Sequence, residues 1–136
     1  ISSLSLTHFR SHDQCEFSFS EKGAVFVGKN GTGKTSLLEA MSFLAHGKSF
    51  RSPDFLQHDA EYCLVTLETQ KEKLEFRFEK RRKKSVFLRN EIPKKLVSFF
   101  QEKEFFTVLF TPEDIFLPFA APQDRRRFLS RLLDRK

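Results

Sequence analysis

The 136-residue sequence predicts an α/β domain in which an antiparallel β-sheet adjoins a small mixed sheet around one helix. Three observations lead to this prediction. Apolar and polar residues alternate in several short segments, as in half-buried strands. The run Ala24-Val25-Phe26-Val27 is unbroken, which is typical of a fully buried strand. After Lys34 the apolar spacing changes to about 3.6 residues, which indicates an amphipathic helix.

The N-terminal elements are predicted to be two antiparallel strands, the buried strand and the helix. A polar turn at 11–13 separates the two alternating segments, so we expect a hairpin. The helix is expected to end at Gly47, because glycine tolerates the left-handed conformation of a C-cap. The side chains predicted to face the interior are Leu4, Leu6, Cys15, Phe17 and Phe19 from the strands, and Leu37, Leu38, Met41, Leu44 and Ala45 from the helix.

The remainder of the chain predicts an antiparallel sheet followed by short elements. We expect strands at 62–69, 74–78 and 87–88 with a turn at 89–91, a helix at 94–101, a buried strand at 105–110 and a helix at 125–134. The residues predicted to face inward from the first two of these strands are Leu64, Val65, Leu67, Leu74, Phe76 and Phe78. Most of the 18 phenylalanines are predicted to lie in the core.

The composition suits an intracellular protein with a polyanionic partner. The chain has 24 Lys and Arg against 18 Asp and Glu, a net charge of +6 that favours binding to DNA. Cys15 and Cys63 are far apart and do not form a metal-binding pair, and reduced thiols are typical of the cytoplasm. No apolar run approaches the ~20 residues of a membrane helix, so no membrane association is expected.

A complete phosphate-binding motif follows the predicted buried strand. The segment 28–35 matches G-x-x-x-x-G-K-[ST], in which glycines let backbone N–H groups surround phosphate oxygens at a helix N-terminus. Lys34 is predicted to contact the outer phosphates as the catalytic lysine, and Thr35 to ligate Mg²⁺. The residues predicted to bind ATP are Gly28, Lys29, Asn30, Gly31, Thr32, Gly33, Lys34, Thr35 and Ser36. The fold class is therefore a P-loop NTPase lobe with an adjoining antiparallel sheet.

Glu113 and Asp114 admit two interpretations. They follow a predicted strand, as do the acids that hold Mg²⁺ and the attacking water in many ATPases. Thr111 and Pro112 separate them from the strand end, and Pro112 redirects the chain. We therefore favour a cap on a turn or a short helix.

Basic residues cluster in two places. The run 80–84 is predicted to be an exposed hairpin that contacts DNA phosphates, with a solvated turn as the alternative. No aromatic residue interrupts this run, so base stacking is not indicated. The second cluster, 125–127, suits DNA, nucleotide phosphates or acidic side chains. The candidate DNA-binding residues here are Lys80, Arg81, Arg82, Lys83, Lys84, Arg125 and Arg126.

These segments together resemble the RecF family, bacterial recombination and gap-repair ATPases related to SMC and ABC-type heads. The similar stretches are His8-Phe9-Arg10-Ser11, the loop 28–35 with Ser36-Leu37-Leu38-Glu39-Ala40, Gly47-Lys48-Ser49-Phe50-Arg51, Arg89-Asn90-Glu91, Thr111-Pro112-Glu113-Asp114 and Pro122 to Leu129. The resemblance spans residues 1–136. The stretches at 49–51 and 125–126 distinguish RecF from its SMC relatives. His8 and Ser130 depart from the family pattern.

The resemblance implies the N-terminal lobe of an ATPase head, using ATP and Mg²⁺. It implies ATP-dependent DNA binding in recombinational repair, replication restart and the SOS response. The implied partners are junctions of single- and double-stranded DNA, recombination mediator proteins, and a C-terminal half or partner protomer for ATP-dependent dimerisation. It also implies that Arg10 contacts nucleotide and that Arg51 lies near the nucleotide or DNA.

Such a protein is expected to continue beyond Lys136 with a signature segment and an acidic strand. By itself this chain is therefore expected to bind ATP without efficient hydrolysis. Two alternatives remain at this point. One is the head of an SMC-type or double-strand-break-repair ATPase, and the other is a non-catalytic interaction module that holds nucleotide as a structural clip.

Overall fold

The computed structural model describes residues 1–102 and 104–133, without the side chains of residues 113, 127 and 130–133. The strands are β1 (Ser3–Phe9), β2 (His12–Ser18), β3 (Tyr62–Glu68), β4 (Lys73–Glu79), β5 (Lys84–Arg89) and β6 (Ile92–Lys94). The helices are α1 (Lys34–His46), α2 (Leu96–Glu102), a 3₁₀ helix (Pro112–Phe119) and α3 (Pro122–Leu133). No helix in the described part of the chain is long and apolar enough to span a bilayer.

The six strands form one antiparallel sheet in the order β2-β1-β3-β4-β5-β6. One row of paired residues crosses the middle of its inner face, and α1 lies on this face with the Phe43 ring 4.7 Å from the Phe76 ring. The row consists of Cys15, Leu6, Val65, Phe76 and Phe87. Six phenylalanines are buried and six more pack against them, which confirms the predicted aromatic core.

The expected hairpins and short helices are present, with one additional strand. The two-residue loop Asn90-Glu91 joins β5 to β6, and both residues have positive φ, at 50° and 67°, as a type I′ turn requires. Strand β6 was not predicted because Pro93 cannot donate a ladder hydrogen bond. It is tolerated because β6 lies at the edge of the sheet. Gly47 ends α1 with φ 71°, as predicted.

The strands predicted at 24–27 and 105–110 are wrong for the described structure. Both segments are extended, but neither pairs with a strand among the residues described. Val25 and Val27 are 87% and 89% exposed, and Phe106, Val108 and Phe110 are also exposed. A buried strand needs ladder partners and two covered faces, whereas these segments have no ladder partner among the described residues and only Phe26 and Phe105 pack against the core.

Two predicted core positions are also wrong, each by one residue. Leu64 lies between the buried Cys63 and Val65, and since strand side chains alternate it faces the outer side of the sheet. Leu38 is exposed because the buried face of α1 runs through Leu37, Ala40 and Leu44 instead.

Candidate nucleotide-binding site

The phosphate loop joins the extended segment 24–27 to α1. Phe26 anchors the incoming chain, with its ring edge-on to Phe17 at 5.9 Å and to Phe19 at 6.1 Å. Gly31 and Gly33 adopt φ of 86° and 87°, a left-handed conformation that side chains with a Cβ rarely take. The tight course of the loop therefore requires glycine at these two positions.

The N-terminus of α1 is open to an anion. Gly33 is the N-cap residue, no side chain caps the helix, and its first turn contains no acidic residue. The first N–H groups of a helix have no intrahelical acceptor, and together with the helix dipole they attract negative charge. Capping side chains and carboxylates normally satisfy such groups, so their absence here fits a phosphate ligand.

Lys34 folds back over the loop. Its Nζ donates to the carbonyl oxygens of Gly28 at 2.8 Å and Lys29 at 2.7 Å, and Thr32 Oγ1 also donates to the Lys29 carbonyl, at 2.9 Å. An ammonium group has three donors. Two hold the loop closed around the lysine, and the third remains for a phosphate oxygen.

Of the two hydroxyl residues after Lys34, only Thr35 faces solvent. Ser36 is buried in the first turn of α1. Thr35 is therefore the one of the two hydroxyls that a ligand at the loop could reach. The structure brings the predicted residues 28–36 together in one loop and helix start, and their individual roles stay predictions.

His12 and Ser11 support the loop from the β1–β2 turn. His12 Nε2 lies 3.1 Å from the Gly33 carbonyl oxygen, which can only accept, so Nε2 carries the proton. A Cβ on Gly33 would lie 2.7 Å from Ser11 Oγ and would collide with the His12 ring. The sequence pattern gave no sign that His12 contacts the loop, because the contact joins residues 21 positions apart.

A buried ion pair holds Arg10 beside α1. Arg10 donates to Glu39 through Nε at 3.1 Å and through a terminal nitrogen at 2.5 Å, and its guanidinium also contacts the carbonyls of Ser52 and Asp54. Glu39 is completely buried. In this structure the Arg10 guanidinium is occupied by Glu39 and two backbone carbonyls. The contact of Arg10 with nucleotide stays a prediction.

The stretch 49–51 joins the same cluster. Ser49 Oγ donates to Glu39, and one Arg51 terminal nitrogen lies 3.5 Å from the same carboxylate. Arg51 was predicted to contact nucleotide or DNA. It is half exposed, so that prediction remains open. Sequence reasoning missed Glu39, although an acidic residue between apolar positions of a buried helix is a signal for a buried partner.

Asp114 caps the 3₁₀ helix. Its Oδ2 accepts from the Thr111 N–H at 2.7 Å and from Thr111 Oγ1 at 2.9 Å, which forms a capping box. The preferred interpretation of Asp114 is confirmed. The side chain of Glu113 lies outside the described residues.

The two predicted basic clusters occupy different elements. The run 80–84 is exposed, as predicted: residues 80–83 form the turn between β4 and β5, and Lys84 begins β5. Lys83 has φ 47°, and Arg82 lies 3.5 Å from Glu79. Arg125 and Arg126 are exposed in the first turns of α3, which packs against the 3₁₀ helix. The side chain of Arg127 is not described. The contacts with DNA stay predictions.

Comparison with known proteins defines the class. Residues 1–121 match the family described as AAA ATPase domain, so the chain belongs to that family of ATPase domains. Within it, the expected resemblance to RecF is confirmed. The chain is 35% identical to the DNA replication and repair protein RecF of Bacillus cytotoxicus and 30% identical to that of Ruminiclostridium cellulolyticum, each over 95% of the chain.

Solved structures give the same result. The structure of the recombination mediator protein RecF-ATPrS in the RecFOR pathway matches 94% of the chain with a TM-score of 0.78 and 30% identity. The corresponding RecF-ATP structure matches 98% of the chain with a TM-score of 0.75 and 28% identity. The chain spans 36% of the length of the curated relatives named above. The fold is thus that of the N-terminal ATPase lobe of RecF.

Proposed function

We propose that this chain is the phosphate-binding lobe of a RecF-like ATPase head, which binds ATP with Mg²⁺ and binds DNA in recombinational repair and replication. The observation that carries the proposal is the complete loop 28–35, with its two left-handed glycines, at the uncapped N-terminus of α1. The match to structures named as RecF with ATP or an ATP analogue supports the choice of nucleotide.

Each part of the loop has a chemical task in this proposal. The open N–H groups of α1 and Lys34 Nζ neutralise the phosphates, and the Thr35 hydroxyl is a ligand for Mg²⁺. Bound Mg²⁺ would neutralise charge on the outer phosphates. His12 and the Arg10–Glu39 pair have a supporting role in this proposal. They hold the loop and α1 in place against the β1–β2 hairpin.

The ATP proposal is tested by Lys34→Ala. A charge-assisted hydrogen bond contributes about 1.5–3 kcal/mol, so the variant should bind Mg-ATP roughly ten- to a hundredfold more weakly in titration calorimetry. Lys95→Ala is the control, since Lys95 is exposed and lies outside the loop. Equal affinity of the Lys34 variant and the parent chain would contradict the proposal.

DNA binding is proposed for the exposed basic turn 80–84. Each phosphate contact contributes about −0.9 to the slope of log affinity against log salt. Replacing all five residues of the turn with serine should flatten that slope by several units. The Arg125→Ser/Arg126→Ser double variant tests the second cluster. If only the double variant flattens the slope, the DNA surface lies on α3, and if neither does, it lies elsewhere or the lobe binds no DNA.

The proposal includes partners that complete the head. The exposed apolar segments 24–27 and 106–110 would pair with strands of a C-terminal half, and a partner protomer would close over bound ATP. Recombination mediator proteins are the further partners proposed. ATP-dependent dimerisation should appear as a mass increase in sedimentation with Mg-ATP but not with Mg-ADP. An ATP-independent mass would contradict this part of the proposal.

A further inference from the structure

A cavity lies beyond the C-terminal end of α1, on the inner face of the sheet. Its volume is about 660 Å³, within the roughly 300–1,000 Å³ of cavities that hold small ligands. The loop that follows α1 forms one side, and β5, β6 and the start of α2 form the other. None of the lining residues belongs to the phosphate loop, which lies at the opposite end of α1, about 20 Å away along the helix. The cavity is therefore separate from the proposed ATP site.

Phenylalanine rings form the floor of the cavity. Phe43 of α1 has its ring centroid 5.4 Å from that of Phe55 in the following loop and 4.7 Å from that of Phe76 in β4. Phe87 of β5 continues the group, with its centroid 4.9 Å from that of Phe76. All four rings belong to the hydrophobic core or pack against it, so the floor forms without a ligand. Leu96, at the start of α2, adds an apolar wall and is 56% exposed.

Strand register places a lysine at the edge of this aromatic floor. Phe76 pairs with Phe87, and Phe87 pairs with Lys94 on the edge strand β6, so the three side chains are neighbours on one face. Ser85, two residues before Phe87, faces the same way and is exposed. Its hydroxyl forms no hydrogen bond with any described residue. The end of the row therefore combines apolar surface with a cation and an open hydroxyl.

The charged residues among the described lining of the cavity are all positive. Lys94 Nζ lies 2.7 Å from a Glu102 oxygen, and one Arg51 terminal nitrogen lies 3.5 Å from a Glu39 oxygen, so these two cations are partly neutralised. Lys48 is exposed and forms no ion pair with any described residue. An apolar cavity with a rim of one sign of charge is complementary to a ligand with an apolar body and an anionic group.

We propose that this cavity binds a small aromatic carboxylate, with its ring on the phenylalanine floor and its carboxylate at Lys48 and Lys94. The ring would meet Phe55 and Phe87 in the offset or edge-on contacts that aromatic pairs prefer. The two lysines donate charge-assisted hydrogen bonds to the carboxylate, and the Ser85 hydroxyl is a third donor. This site is independent of the proposed ATP and DNA binding, so failure of one does not affect the other.

The probe is naphthalene carboxylate, compared by NMR titration with the uncharged naphthalene carboxamide. A ligand of this size should bind with a Kd of about 1 mM or lower. A charge-assisted hydrogen bond changes affinity by roughly ten- to a hundredfold, so the carboxylate should bind at least about tenfold more tightly than the carboxamide. The backbone amide signals that shift should come from residues 47–52, 85–87 and 94–96. Saturating Mg-ATP should not displace the probe.

Two substitutions test the rim, each with its neighbour as the matched control. Leu96→Glu places an acid in the wall at an exposed position, and it should weaken carboxylate binding by about tenfold or more through like-charge repulsion. Val97→Glu makes the same charge change at a residue that is 66% exposed and outside the lining, and it should have no effect. Lys94→Gln should lower the preference for the carboxylate over the carboxamide by about tenfold, and Lys95→Gln should preserve it.

The proposal has clear contrary results. It is wrong if the carboxylate and the carboxamide bind equally well, or if the carboxylate does not saturate the chain at about ten times the expected Kd. It is also wrong if Leu96→Glu binds the carboxylate as the parent chain does. Shifts confined to residues 28–36, or displacement by Mg-ATP, would place the anion in the phosphate loop and would equally overturn the proposal.

Discussion

The burial of the Glu39 carboxylate leads to a prediction about the free energy of unfolding. Glu39 is completely buried in α1, and Arg10, which is 16% exposed, supplies two hydrogen bonds to it. In the Arg10→Met variant, the Glu39 carboxylate would retain only the hydrogen bond from Ser49 and the weaker contact with Arg51, whose nearest nitrogen is 3.5 Å away. Removing one partner of a buried pair costs about 3–5 kcal/mol, a large part of a total stability of roughly 5–15 kcal/mol.

Urea unfolding followed by circular dichroism measures this cost. With a slope of about 1.5 kcal/mol/M, Arg10→Met should lower the midpoint by about 2 M or more. The double variant Arg10→Met/Glu39→Met should recover most of the loss, because no unpaired charge remains buried.

The matched control is Arg82→Met, because Arg82 is 72% exposed and its partner Glu79 is 44% exposed. An exposed pair contributes only about 0–1 kcal/mol. Equal midpoints for Arg10→Met and Arg82→Met would refute the view that Glu39 depends on Arg10. So would additive losses in the double variant, because they would show that the two residues do not interact.

Three further predictions concern the loop, the buried thiol and turnover. Gly33→Ala should abolish detectable ATP binding in calorimetry, since its Cβ collides with His12 and its φ is 87°; retained affinity would contradict the loop geometry. Burial raises the pKa of Cys63 to about 12, so little thiolate exists at pH 8. In a Cys15→Ser chain, a disulfide reagent should therefore label Cys63 only in denaturant, and rapid native labelling would contradict its burial. Phosphate release with excess Mg-ATP and DNA should stay below one turnover per chain and be unchanged by Glu113→Gln; multiple turnovers abolished by that change would identify a catalytic acid.

Local signals predicted the antiparallel sheet and the loop well. Alternation identified β1 to β5 because each of these strands has one face on the core, and the hairpins β1–β2, β3–β4 and β4–β5 need only short turns. It did not predict that β1 pairs with β3, which joins the two predicted sheets into one antiparallel sheet among the described residues. The loop was predictable because its glycines and the helix start are contiguous. Thr111 and Asp114 were also predictable, since a capping box spans only four residues.

The errors arise where structure depends on distant parts of the chain. The segments 24–27 and 106–110 have the composition of buried strands, yet composition does not supply the neighbouring strands that would bury them. The contacts of His12 with Gly33 and of Arg10 with Glu39 join residues 21 and 29 positions apart. Periodicity within one element contains no information about such contacts.

The central claim is that the loop 28–35 binds the outer phosphates of ATP. It is tested most directly by calorimetric titration of the chain with ATP and with AMP, each with Mg²⁺ and with a chelator. We expect saturable binding of Mg-ATP, weaker binding of ATP in the chelator, and no measurable binding of AMP, because AMP lacks the phosphates that Lys34 and Thr35 are placed to contact. Equal affinities for ATP and AMP, or no binding of Mg-ATP, would contradict the claim.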